Sequence, residues 1–260
     1  MKLLEVKNLT MQFGGLKAVD SLSFHIEKGE LMGLIGPNGA GKTTVFNMLT
    51  GVYQPTSGEI LFDSQILNGK KPYEISHLGV TRTFQNIRLF RDLTVLENVL
   101  VAGGQHLTYG MSAAVIRTKS FCQQEEVLRE KSMKLLSIFG LQKKAHDEAS
   151  SLPYGEQRKL EIIRALATDP KLICLDEPAA GMNHYETHHL METIAQIRKD
   201  FGLTVLLIEH DMKLVMGICE RITVVDHGCK IEEGTPQHIQ SSQKVIEAYL
   251  GTDEDLQGGH

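Results

Sequence analysis

Residues 36–44, Gly36-Pro37-Asn38-Gly39-Ala40-Gly41-Lys42-Thr43-Thr44, constrain this chain more than any other stretch. The apolar run Leu31-Met32-Gly33-Leu34-Ile35 precedes them and reads as a buried strand. Val45-Phe46-Asn47-Met48-Leu49 follows and reads as a helix. A strand, then G-x-x-x-x-G-K-[ST], then a helix is the phosphate-binding P-loop. Its glycines let the backbone curl until several N–H groups point into one concavity. That concavity lies at a helix N-terminus, where the dipole also favours an anion. In such a loop Lys42 reaches the β- and γ-phosphates and the Thr43 hydroxyl ligates Mg²⁺.

The chain has 260 residues, enough for a large core in one or two domains. A net charge of −5 argues against a broad nucleic-acid-binding surface. No apolar run approaches the roughly 18–20 residues that span a bilayer. Residues 1–7 alternate charged and apolar positions and lack a signal core, so the chain is expected in the cytosol unless a partner takes it to a membrane. Cys122, Cys174, Cys219 and Cys229 form no C-x-x-C and have no histidine pair at zinc spacing, so they are expected as reduced thiols, Cys174 within the core. The adjacent His188 and His189 are expected on the surface.

Strands are expected at 3–10, 19–27, 31–35, 59–62, 79–85, 172–175, 203–208, 221–226 and 229–233, with turns at Gly14-Gly15, Lys28-Gly29 and Asn68-Gly69. Helices are expected at 94–101, 113–139 with Gly140 as cap, 159–168, about 185–200, and as an amphipathic piece over 235–250. From 86 to about 150 the pattern is mainly helical, whereas strands and helices alternate on either side. That is a helical insert in an α/β core. The polar tail 252–260 is expected to be disordered.

Leu172-Ile173-Cys174-Leu175 is a continuous apolar run ending in Asp176-Glu177. Ligands bind at the C-terminal edge of an open α/β sheet. Asp176 is positioned to hold Mg²⁺ opposite Thr43, the Walker B pattern. Glu177, one residue on, is positioned to orient and deprotonate an attacking water. Gln85 and His210 also sit at strand ends, within reach of the same water or the γ-phosphate. Phe13 either packs or offers a face on which adenine stacks.

In order, the P-loop, Gln85, Leu152–Glu156, Asp176-Glu177 and His210 resemble the ABC-type ATPase cassette, over about residues 1–250. The resemblance implies a P-loop NTPase fold with a RecA-like core, an antiparallel β subdomain and an α-helical subdomain. It implies one cassette over 1–251, with the core at about 1–85 and 158–235 and the helical subdomain at about 86–157. ATP or ADP and Mg²⁺ are the implied cofactors. Phe13 then matches the adenine-stacking aromatic, Gln85 the Q-loop, with a metal contact, and His210 the switch histidine. Leu152-Pro153-Tyr154-Gly155-Glu156 matches the LSGGQ signature, so Tyr154, Gly155 and Glu156 are nucleotide contacts, made to a partner's ATP. Ala180-Gly181-Met182-Asn183 matches the D-loop.

Residues 82–90 and 94–99, Ala179–Asn183 and Glu247-Ala248-Tyr249-Leu250-Gly251 carry a narrower resemblance, to ATP-binding subunits of branched-chain amino acid importers that pair with a second, similar ATPase. This implies permease subunits as partners, a second cassette in a homo- or heterodimer, and indirectly a periplasmic or extracellular binding protein. It implies a peripheral place on the cytoplasmic face of the plasma membrane and no nucleic acid. Leu89, Phe90 and Leu93 are either permease contacts or packing for the helical insert. The alternatives are the ATPase of a lipid or polysaccharide exporter and a soluble ABC ATPase. The chain departs from the family at Pro153, where the signature serine stands, at Glu156 for glutamine, at Asn183 for aspartate and at His184 for proline. The first change removes a donor to the partner's γ-phosphate, so the two sites of a heterodimer are expected to be unequal.

Overall fold

The computed structural model describes residues 1–250, and the tail at 252–260 lies outside them. Alternating apolar residues give the first strands one buried face. β1 (Lys2–Phe13) and β2 (Leu16–Glu27) pair antiparallel through a turn in which Gly14 takes φ 57°. β3 (Leu31–Ile35) is buried at every position and runs through the P-loop into α1 (Lys42–Leu49). β4 (Ser57–Phe62) and β5 (Gln65–Ile66) follow, then α2 (Pro72–Leu78) and the short β6 (Val80–Arg82). The helical part contains α3 (Val95–Gly103), α4 (Met111–Val115) and α5 (Lys119–Ile138). α6 (Tyr154–Leu166) leads back to β7 (Leu172–Asp176). The chain continues through α7 (His184–Phe201), β8 (Thr204–Ile208), α8 (Met212–Ile218), β9 (Arg221–Asp226), β10 (Cys229–Gly234), α9 (Pro236–Ser241) and α10 (Gln243–Leu250).

One antiparallel sheet has the order β2-β1-β4-β5. The other has the order β10-β9-β3-β8-β7-β6 and is parallel except for β10. In the second sheet β3, β8, β7 and β6 are successive neighbours pointing the same way. Their C-terminal ends therefore bring four segments distant in sequence to one edge. One apolar core lies between the two sheets and around α1. The other lies between the parallel sheet and α3, α5, α6 and α7.

The elements depart from the sequence expectation where local capping overrides periodicity. The single helix expected over 113–139 is two, because Arg117 adopts φ 49° and the Thr118 hydroxyl caps α5 by accepting the Phe121 N–H. Helices α2 and α8 lie outside the expected set. Pro72 opens the first, with the Glu74 carboxylate accepting the Lys71 N–H, and Asp211 caps the second by accepting from the Leu214 N–H. α6 starts at Tyr154 rather than Lys159, so the boundary expected at 157 falls inside a continuous helix.

Cys174 and Cys219 are buried, and burial pushes each thiol up to about 12. Cys122 and Cys229 are exposed. Since the thiolate is the reactive form, titration of the native protein with a thiol reagent should consume two equivalents rapidly, and denaturant should release the other two. Four fast equivalents without denaturant would contradict this core.

Candidate functional site

The P-loop is moulded by its contacts with β9 and β2. A Cβ on Gly36 would lie 1.9 Å from the Val225 carbonyl oxygen, and one on Gly41, at φ 100°, would lie 2.4 Å from that of Ala18. Only glycine fits either position. Gly41 caps α1 without a side chain, so the first-turn N–H groups at Lys42, Thr43 and Thr44 have no intrahelical acceptor, the condition under which a helix N-terminus binds an anion. Lys42 is nearly buried, its Nζ donating to the carbonyls of Gly36 at 2.7 Å and Pro37 at 2.8 Å. Burial lowers its pKa, while the Glu177 and Asp176 carboxylates oppose that shift. Asn38 through Thr44, Ala18, Gln85, Glu177 and His210 line one cavity of about 250 Å³.

Asp176 ends β7 at 1% exposure and is held by Arg82 at the end of β6. One Arg82 nitrogen donates to Asp176 Oδ2 at 2.7 Å and another to Asn47 Oδ1 of α1 at 2.5 Å. The guanidinium also lies 5.4 Å from the Phe46 ring centre and 5.2 Å from that of Phe84. Thr83 Oγ1 accepts the Asp176 N–H at 3.2 Å. Sequence reasoning missed Arg82 as a site residue. The available signal was a buried-strand carboxylate with no stated cation and an arginine inside a β run.

Glu177 adopts φ 47°, unusual for a residue with a Cβ, and its N–H donates to the Ile208 carbonyl at 2.9 Å. Its two carboxylate oxygens are both engaged. Gln85 Nε2 donates to Oε2 at 3.1 Å, and His210 Nε2 lies 2.6 Å from Oε1. The neighbouring Glu209, also missed, is 5% exposed and joins two loops by accepting the N–H groups of Ala179 at 3.0 Å and His210 at 3.2 Å. Burial pushes its carboxyl up, against the lowering effect of those two N–H groups.

Pro153 caps α6, its carbonyl accepting the N–H groups of Glu156 and Gln157. Lys144 Nζ grips both oxygens of Glu156 at 2.6 and 2.8 Å. The Tyr154 ring covers Gly181, where an added Cβ would come within 2.8 Å of Cε1. Asn183 caps α7 by accepting the Glu186 N–H, a task at which asparagine equals aspartate. Tyr154 thus lies against Gly181 and Gly155 near Glu186 of α7, while Glu156 is turned to Lys144, and none of the three lines the P-loop cavity. Phe13 closes β1 at 43% exposure and meets Tyr53 edge-on, with ring centres 5.3 Å apart.

Two family models match this chain: "ABC transporter" over residues 19–180, and "Branched-chain amino acid ATP-binding cassette transporter" over residues 229–255. The high-affinity branched-chain amino acid transport ATP-binding protein LivG of Escherichia coli (strain K12) is 49% identical over 96% of this chain and 98% of its own length. BraF of Pseudomonas aeruginosa, of the same description, is 47% identical over the same shares. Among solved structures, a nucleotide-free ATP-binding cassette from an ABC transporter superposes with a TM-score of 0.84 at 32% identity, covering 97% of this chain and all of its own. An ADP conformation of an ABC transporter cassette gives 0.83 at 33% identity over 97% of this chain and 100% of that one.

Proposed function

The chain belongs to the ABC transporter family as an ATP-binding cassette, and from that premise we propose that it hydrolyses ATP to power uptake of branched-chain amino acids through membrane permease subunits. One observation carries the catalytic half of this reading. Glu177 is held by Gln85 and His210 in the cavity that the P-loop lines. A carboxylate so placed orients a water and accepts its proton. His210 and Gln85 then hold the carboxylate, while Lys42 and the α1 N-terminus hold the phosphates.

Mg²⁺ suits the donors present. The Thr43 hydroxyl and the Gln85 amide oxygen line the cavity, and the Asp176 carboxylate, bound to Arg82 and not itself a lining residue, would complete an all-oxygen set of the kind a hard cation requires. Bound there, the ion neutralises charge that develops on the phosphates. Phe13 is the adenine platform of this reading, its half-exposed ring fixed by Tyr53.

The signature turn serves a second cassette's ATP, because it lies outside this chain's own cavity. A groove of about 480 Å³, lined by Thr50, Val52, Arg88, Phe90, Ala102 and Arg164 among others, suits a permease segment. Phe90 is 47% exposed there, with the Arg164 guanidinium 4.8 Å from its ring centre. Leu89 instead packs against the core, and Leu93 is half-buried. Among the described residues no helix is long and apolar enough to cross a membrane, so membrane attachment on the cytoplasmic face is assigned to the permease.

The test is ATP hydrolysis by this chain alone, then with a second cassette and permease in vesicles. Specific activity should rise with protein concentration or added partner, need Mg²⁺, and rise again with a binding protein loaded with leucine or isoleucine. Activity that stays flat over a wide dilution series and ignores the partner would count against the required pair.

A further inference from the structure

Arg158 is the largest of the fully buried side chains, at 1% exposure. It belongs to α6, yet its guanidinium serves the segment that follows β6. Nη1 donates to the Phe84 carbonyl at 2.6 Å and to Glu161 Oε2 at 2.9 Å, and Nη2 donates to the Gln85 carbonyl at 2.6 Å. Glu161, one turn on and 5% exposed, returns the grip, its Oε1 accepting the Phe84 N–H at 3.1 Å. Two buried charges of one helix thus hold three backbone groups of two consecutive residues.

What they hold is the residue whose side chain donates to Glu177. The same helix begins at Tyr154-Gly155-Glu156. We propose that Arg158 and Glu161 are positioning residues that make Phe84-Gln85 move as one body with the first turns of α6. The approach of Gln85 to Glu177 and the placement of the 154–156 turn are then set together. In the paired-cassette reading above, on which this last step rests, Gln85 serves this chain's ATP and the 154–156 turn serves the partner's. The pair therefore links the two ATP sites. A purely structural pair has no such consequence: losing it leaves those three backbone groups without partners and lowers stability, but it does not separate the response of one segment to nucleotide from that of the other.

Two variants test this. Arg158→Met with Glu161→Leu removes both charges and keeps the volume. Arg158→Lys keeps the charge but loses the fork that spans two carbonyls and a carboxylate. Hydrogen exchange is followed on the full chain with and without Mg-ATP, in segments 82–90 and 152–160. The wild type should respond in both. Each variant should respond at 82–90 and lose the response at 152–160. In the complex, kcat should fall by about 10- to 100-fold with KM changed less than about threefold, the mark of lost positioning rather than lost binding. The exchange readout uses the single chain and is indifferent to pairing, so failure of the pairing alone leaves it standing. Variants that keep both exchange responses, or that keep wild-type kcat, would overturn the proposal.

Discussion

Glu177→Gln is expected to bind Mg-ATP as the wild type does and to hydrolyse it about 10²- to 10⁴-fold more slowly, the range that a positioned general base supplies. Gln has the size of Glu and adopts the same φ of 47°, so the loop that hydrogen-bonds to Ile208 keeps its shape. What changes is proton chemistry, because an amide does not accept the proton of an attacking water. Binding rests on other atoms. The Lys42 ammonium is held by the Gly36 and Pro37 carbonyls, and the α1 first turn is held by Gly41. The check is equilibrium binding of a fluorescent ATP analogue beside single-turnover phosphate release. Turnover within about tenfold of wild type would remove Glu177 from the role of base. Loss of binding would show that its charge supports Lys42, whose ammonium form the Glu177 carboxylate favours.

Motifs defined by local backbone shape were legible in the sequence, and contacts between distant side chains were not. Gly36 and Gly41 announce the P-loop, because each meets a carbonyl that no Cβ could approach. The apolar run before Asp176 announces a strand buried on both faces. The partners of these residues are set by strand order, which the sequence does not spell out. Arg82 and Asp176 meet across 94 positions because β6 and β7 are neighbours. Gln85 and Glu177 meet across 92 for the same reason. Glu209 reads as one more charge after a strand until β8 lies beside β7 and brings the Ala179 N–H to it. Short elements such as α2 and α8 bury few residues, so their periodic signal was weak and their caps decided them. Phe90 and Leu89 illustrate the limit at single residues. They are adjacent and both apolar, yet one is exposed in a groove and the other packs on the core, a difference fixed by Asn98. Its side chain accepts the Phe90 N–H and donates to the Phe90 and Thr94 carbonyls.

Arg82→Met is expected to destabilise the fold by about 3–5 kcal/mol, the cost of leaving a buried charge without its partner. Asp176 is 1% exposed and Arg82 is its cation, so the variant strands a carboxylate among apolar strands. At about 2–4 °C per kcal/mol for a chain near this size, the thermal midpoint should fall by roughly 6–20 °C. Asp176→Asn should cost less, about 1–2 kcal/mol, because its amide oxygen still accepts a hydrogen bond. Arg82 also keeps Asn47 and the two phenylalanine faces. With both changes the loss should be smaller than the sum by about 0.5–3 kcal/mol, the coupling of residues in direct contact. The asymmetry is the informative part, since it separates the penalty of a stranded carboxylate from the worth of the bond. Denaturant unfolding of the three variants measures it. If Arg82→Met cost less than about 1 kcal/mol, the pair would behave as a solvent-exposed bridge. Water would then reach Asp176, and its alignment toward the P-loop would have to come from Thr83, whose hydroxyl accepts its N–H.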